Sequence, residues 1–187
     1  MPCIGLAYIA GAIEHHAKQT DYHLEVLVID MFAEKKSAQQ IVDACAELQP
    51  DVVGMTVLTP SEPVCSALTR MIRATVPAVK IVWGAVHADV FAADIVMERK
   101  ADFVIHHDGE ESICELLDAI ESGEHDFSAV DGITWRALDG TPVKNKDRRL
   151  LTDLDSLPYP AWHLFPYHRY GLLPFADFGA KNVIRIA

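Results

Sequence analysis

The chain has 187 residues, 50% of them apolar and 23% charged, enough for one well-buried α/β domain with an appendage and too few for two full domains. Its formal charge of −11, from 16 basic and 27 acidic residues with no basic cluster, argues against a nucleic-acid or anionic-membrane surface. Cys3, Cys45, Cys65 and Cys114 form no Cys-x-x-Cys pair, no secretory leader is seen, and no apolar run reaches the roughly 20 residues that span a bilayer, so a reducing, cytoplasmic setting with free structural cysteines is expected.

In chain order, Ile4 to Lys18 places Leu6, Ile9, Ile13 and Ala17 at helical spacing. His23 to Asp30 reads as a buried strand ending in a carboxylate. Ser37 to Leu48 is a predicted helix, with Ser37 as N-cap and Ile41, Cys45 and Leu48 on one face. The β-branched run Asp51–Leu58 predicts a parallel strand that breaks into Thr56-Val57-Leu58-Thr59-Pro60, and helix Ser61–Thr75 follows. Strand Lys80–Val86 leads to a helix near Val90–Lys100. Strand Asp102–His106 leads to helix Glu111–Ser122, stopped by Gly123.

Connections of this length require right-handed crossovers, so the expected fold is α/β, a doubly wound, flavodoxin-like (Rossmann-like) parallel sheet. Such a sheet opens on a strand, whereas this chain opens on a helix, and its first strand is apparently missing. The closing Asn182–Ala187 is a candidate strand without an evident place. Gly132–Arg136 and Thr141–Val143 flank Asp139-Gly140 as a β-hairpin, and a proline- and aromatic-rich arm follows from Arg148. The organisation expected is residues 1–125 as the α/β domain, 126–147 as the hairpin appendage and 148–187 as a linker.

In doubly wound sheets ligands sit at the carboxyl ends of the strands. Asp30, Thr56 to Thr59, Gly84 to His87 and His107 to Glu110 all fall there. Hydroxyls, backbone amides and a glycine that allows close approach suit a nucleotide, a flavin or a corrinoid.

The motifs at these ends carry a family resemblance over essentially the whole chain. Asp51 to Pro60 resembles the third strand of cobalamin-binding domains, with Thr56-Val57-Leu58 as their Ser/Thr-x-Leu. Gly84-Ala85-Val86-His87 resembles the Gly-Gly-x-His turn of the subgroup that precedes radical SAM domains. Ala101-Asp102-Phe103-Val104 to Glu110, with Ser112 to Leu117, is similar to the Gly-Glu-Gly-Glu segment of that subgroup. Pro2 to Ala12 is similar to its opening helix, and Asp153 to Trp162 to its Asp-Leu-Asp-x-Leu-Pro-x-Pro-Ala-x-Trp linker.

The resemblance implies a domain that holds cobalamin (vitamin B12), with its cobalt, at the sheet edge. Thr56, Leu58 and Thr59 would line the pocket for the dimethylbenzimidazole tail, and Gly84 and Ala85 would form its other wall. His87 and the turn of His107, Gly109 and Glu110 would lie close to the corrin or nucleotide. The complete family continues into a radical SAM domain in cis, where a Cys-x-x-x-Cys-x-x-Cys motif holds a [4Fe–4S] iron-sulfur cluster and S-adenosylmethionine. That motif is absent here, so no residue of this chain is expected to be catalytic and none to ligate metal. In the complete protein the corrinoid would serve methyl transfer, or redox as in magnesium-protoporphyrin IX monomethyl ester cyclase. The sequence departs from the family at Ala85, which replaces the second glycine, and at His107-Asp108, which replaces Gly-Glu.

Other readings stay open beside this one: a degenerate, non-binding α/β scaffold or interaction domain, and a stand-alone corrinoid carrier. A homodimer is compatible with either. His106-His107-Asp108 invites a zinc reading, but adjacent strand residues point to opposite faces and would not grip one ion. Glu110 and Glu111 are what the helix dipole favours at an amino terminus.

Overall fold

The computed structural model describes residues 3–149 and 151–170; the Asn182–Ala187 strand anticipated above lies outside them. Five strands form one sheet in the order β1-β2-β3-β4-β5: β1 Val52–Thr56, β2 Lys80–Gly84, β3 Phe103–Ile105, β4 Ile133–Arg136 and β5 Pro142–Lys144. The first three run parallel, with Thr56 opposite Gly84 and Trp83 opposite Val104. The hairpin strands β4 and β5 continue the same sheet antiparallel beyond β3.

Six α-helices among the described residues cover the sheet: α1 Ile4–His16, α2 Ala38–Leu48, α3 Glu62–Thr75, α4 Val86–Val90, α5 Ala92–Met97 and α6 Glu110–Glu121. The pleat sends alternate side chains to opposite faces. Ile81, Trp83 and Val104 join the core beneath α2, α3, α4 and α5, whereas Val82, Phe103, Ile105, Ile133 and Trp135 join the core beneath α6 and the Ile9–Ile13 side of α1. Burial on both faces explains why β2 and β3 read as continuous apolar runs.

Two expected elements differ. His23–Asp30 is extended but enters no strand ladder. Leu24, Val26 and Val28 turn inward while Leu27 stays 62% exposed, so its alternation is that of a strand without a partner. β1 is consequently a sheet edge, with Gly54 and Thr56 exposed. The helix expected near Val90–Lys100 is two short helices, α4 and α5, separated at Phe91, whose backbone (φ −109°, ψ 24°) leaves the helical region.

Local chemistry explains the start of α2. The Ser37 hydroxyl accepts from the Gln40 N–H, and the Gln40 side chain accepts from the Ser37 N–H. This reciprocal box satisfies two otherwise orphaned donors. Ser37→Ala is expected to cost about 1 kcal/mol, read as a lowered urea midpoint at unchanged slope.

On α1 the buried face is small: Ala7, Ala10, Gly11 and Ala12. The proline-rich arm lies directly on it, with the Ala161 N–H donating to the Ala7 carbonyl at 2.9 Å and Ala161 and Phe165 buried beside Ala7 and Ala10. α1 is tied to α6 through His16 Nε2 and Asp118 Oδ1 at 2.7 Å, and the Tyr22 hydroxyl donates to the same carboxylate oxygen. All four cysteines are free.

Candidate functional site

The carboxyl ends of β1, β2 and β3 open into three turns that lie side by side. After β1 the chain buries Val57 completely; its N–H donates to the Gly84 carbonyl at 2.9 Å and its carbonyl accepts from the His87 N–H at 3.3 Å. Pinning Val57 leaves Thr56 on the exposed edge and turns Leu58 outward, 50% exposed. The Leu58 N–H donates to the Ser61 hydroxyl, which donates back to the Leu58 carbonyl, closing the short helical turn Thr59–Ser61. The Thr59 hydroxyl lies 3.2 Å from His87 Nδ1, so the first two turns are joined through side chains. Cys3 Sγ lies 3.9 Å from the Thr56 hydroxyl.

The second turn starts at Gly84, where a Cβ would meet nothing within 4 Å. Ala85 adopts φ 75° and ψ 177°, a region that only glycine enters freely. Its strain costs about 1–3 kcal/mol. Val86 and Val90 are about 70% exposed beyond it, and the His87 ring packs on Phe91 with centroids 4.8 Å apart. Ala85→Gly relieves the strain but gives back about 0.4–1 kcal/mol of unfolded-chain entropy, so a net gain of about 1 kcal/mol is expected from denaturant unfolding.

The third turn begins at His106, which is buried beneath it. His107 again takes a positive φ, 53°. Gly109 is required by crowding: a Cβ there would lie 2.8 Å from Ile105 Cγ2 and 3.1 Å from Ile9 Cδ1. Glu110 opens α6; burial pushes its carboxyl above the usual range, and its Oε2 is buried without a hydrogen-bond partner. The alternation that separates neighbouring side chains on a strand fails at this turn. His106 Nδ1 contacts one oxygen of Asp89, and His107 Nδ1 lies 3.4 Å from the other. The positive φ at His107 swings its ring back toward the same carboxylate. Among the described residues no group of three or more His, Cys, Asp or Glu side chains could hold a metal ion.

Of the residues singled out in the sequence, Thr56, Leu58, Thr59, Gly84, Ala85, His87 and His107 fall along this edge. Gly109 packs under α1, and Glu110 lines a groove between α1, α6 and residues 151–158, with His15, His16 and Leu157. Asp89 and Thr134 are not among those residues, and His106 figures only in the zinc reading; here His106 joins Asp89, in the helix after the second turn, to Thr134 on β4. These contacts tie α4 and β4 to the end of β3 across 17 and 28 positions, and no local pattern signals them.

The fold and this edge define a class, the α/β ligand-binding domains that present small, polar and exposed apolar groups at their strand ends. Residues 1–117 match the model of the B12 binding domain, and the chain belongs to that family. It is 24% identical over 176 residues to the anaerobic magnesium-protoporphyrin IX monomethyl ester cyclase of Rubrivivax gelatinosus, covering 92% of this chain and 31% of that protein. Among solved structures it is similar to the cobalamin-dependent S-adenosylmethionine radical enzyme OxsB with aqua-cobalamin and S-adenosylmethionine bound (TM-score 0.69, 17% identity, 86% of this chain and 21% of that one). It is similar also to the radical S-adenosylmethionine methyltransferase TsrM from Kitasatospora setae with cobalamin and a [4Fe-4S] cluster bound (TM-score 0.61, 18% identity, 81% and 28%). The chain therefore spans about a third or less of the length of these relatives. No helix among the described residues is long and apolar enough to cross a membrane.

Proposed function

We propose that this chain holds a corrinoid on the carboxyl edge of its sheet, as the cobalamin-binding part of an enzyme whose radical SAM domain follows in cis. The observation that carries the reading is the open backbone at Gly84, flanked by the exposed Thr56, Leu58 and Thr59. The donor set fits such a group. A corrinoid is a broad ring with an apolar face and amide arms, and this edge offers the apolar surface of Leu58 and Val86 beside the hydroxyls of Thr56 and Thr59 and the His87 ring. Ala85 and His107, the two departures from the family's glycines, keep glycine-like backbone at φ 75° and 53°, which supports binding over a degenerate scaffold.

Bound cobalamin supplies methyl transfer or redox chemistry that the side chains lack. In the proposal, Thr56, Leu58 and Thr59 cradle the dimethylbenzimidazole tail, with Gly84 and Ala85 as the facing wall. His87, held at Nδ1 by Thr59, and His107 orient the remaining polar arms. Comparing hydroxocobalamin with cobinamide, which lacks the tail, tests this arrangement by equilibrium dialysis. Binding of cobalamin about tenfold tighter or more is expected. Equal affinity would remove the tail from the Thr56–Thr59 turn.

A further inference from the structure

We infer that Asp89 and His106 form a positioning pair that clamps the two strained turns of the edge, a restraint that glycine at Ala85 and His107 would make unnecessary. The inference rests on the corrinoid reading only for its consequence in binding. The geometry starts in the sheet. Thr134 lies on β4 opposite Val104 and is 2% exposed, and its hydroxyl is 2.7 Å from His106 Nε2. The His106 N–H donates to the Gly132 carbonyl at 2.9 Å, so the ring is anchored to β4 and the backbone to the residue just before it. The ring is 3% exposed, and its Nδ1 meets the Asp89 carboxylate.

A carboxylate only accepts, so Nδ1 donates toward Asp89, while Nε2 shares a hydrogen bond with the Thr134 hydroxyl. Asp89 sits in α4, directly after the turn that holds Ala85, and its own N–H donates to the Ala85 carbonyl at 3.0 Å. Its second oxygen faces His107, the residue with positive φ in the third turn. One residue thus links both strained turns, the Ala85 turn through its backbone N–H and the His107 turn through its carboxylate, and a buried imidazole fixes it to the sheet. Strained backbone persists only where the surroundings over-determine it.

The test compares four chains: the natural one, Asp89→Ala, the double variant Ala85→Gly with His107→Gly, and all three changes together. Amide hydrogen exchange of residues 84–90 and 106–109 reads the clamp without any ligand, and hydroxocobalamin affinity reads its consequence. Asp89→Ala is expected to lower protection in both turns together by about tenfold or more. It is also expected to weaken hydroxocobalamin binding by about tenfold. In the glycine background the same substitution should leave protection and affinity within about threefold of the glycine variant alone, because unstrained turns need no clamp. Unchanged protection at either turn in Asp89→Ala overturns the inference, as does a tenfold loss in the glycine background. If Asp89→Ala alone fails to fold, the comparison within the glycine background decides by the same criterion. If the natural chain binds no corrinoid, the proposed function fails, and the exchange measurement still decides the clamp.

Discussion

Gly84→Leu is expected to weaken hydroxocobalamin binding at least about tenfold while leaving the fold intact. The two halves of this expectation come from one fact, the open space around Gly84, where a Cβ meets nothing within 4 Å. Its backbone is not in the left-handed region, so a side chain introduces no torsional strain. A substitution of this kind on a surface falls within about 0.5 kcal/mol of neutral. The added side chain instead fills the space beside Thr56, its partner across the parallel ladder. Thermal unfolding and the visible absorbance of retained corrinoid, measured on the same sample, separate the two effects. Binding equal to that of the natural chain would place the ligand away from Gly84.

Gly11→Ala should destabilise the protein by about 1–3 kcal/mol, the cost of forcing extra volume into a packed contact. The sign is informative because alanine is otherwise the better helix former by about 1 kcal/mol. On a free α1 the substitution would therefore stabilise. Here a Cβ on Gly11 would fall on the Tyr159 carbonyl and lie 3.3 Å from the Ala161 N–H, both backbone groups that cannot rotate away. At about 3 °C per kcal/mol for a domain of this size, the midpoint should drop by several degrees. A rise in the midpoint would mean that the arm does not rest on α1.

The parts legible in the sequence are those governed by short-range rules. Ser37 and Gln40 announce the α2 box by their three-residue spacing, and the apolar runs at β2 and β3 announce burial on both faces. Asp139-Gly140 announces the hairpin, although not that β4 would pair with β3. His23–Asp30 misled because period-two alternation reports one buried face and is silent on whether a neighbour exists to complete the ladder. The Val90–Lys100 helix misled because apolar spacing continues across Phe91 while the backbone does not.

The edge itself was legible by strand ends and motifs, and its internal wiring was not. Ala85 and His107 stand out in the sequence where the resemblance expects glycine, and both take a positive φ that glycine adopts freely. Asp89, which bonds the Ala85 turn through its N–H and the His107 turn through its carboxylate, lies just past the Gly84–His87 motif and 17 positions before His106. Asp89 became visible only once α4 had folded back over His106.

The most direct measurement of the central claim is retention of hydroxocobalamin by the natural chain after desalting, read from the corrin absorbance and from cobalt per chain. A near-equimolar cobalt content with a corrin spectrum is the predicted result. A well-folded chain that emerges colourless after incubation with hydroxocobalamin, methylcobalamin and cob(II)alamin would contradict it.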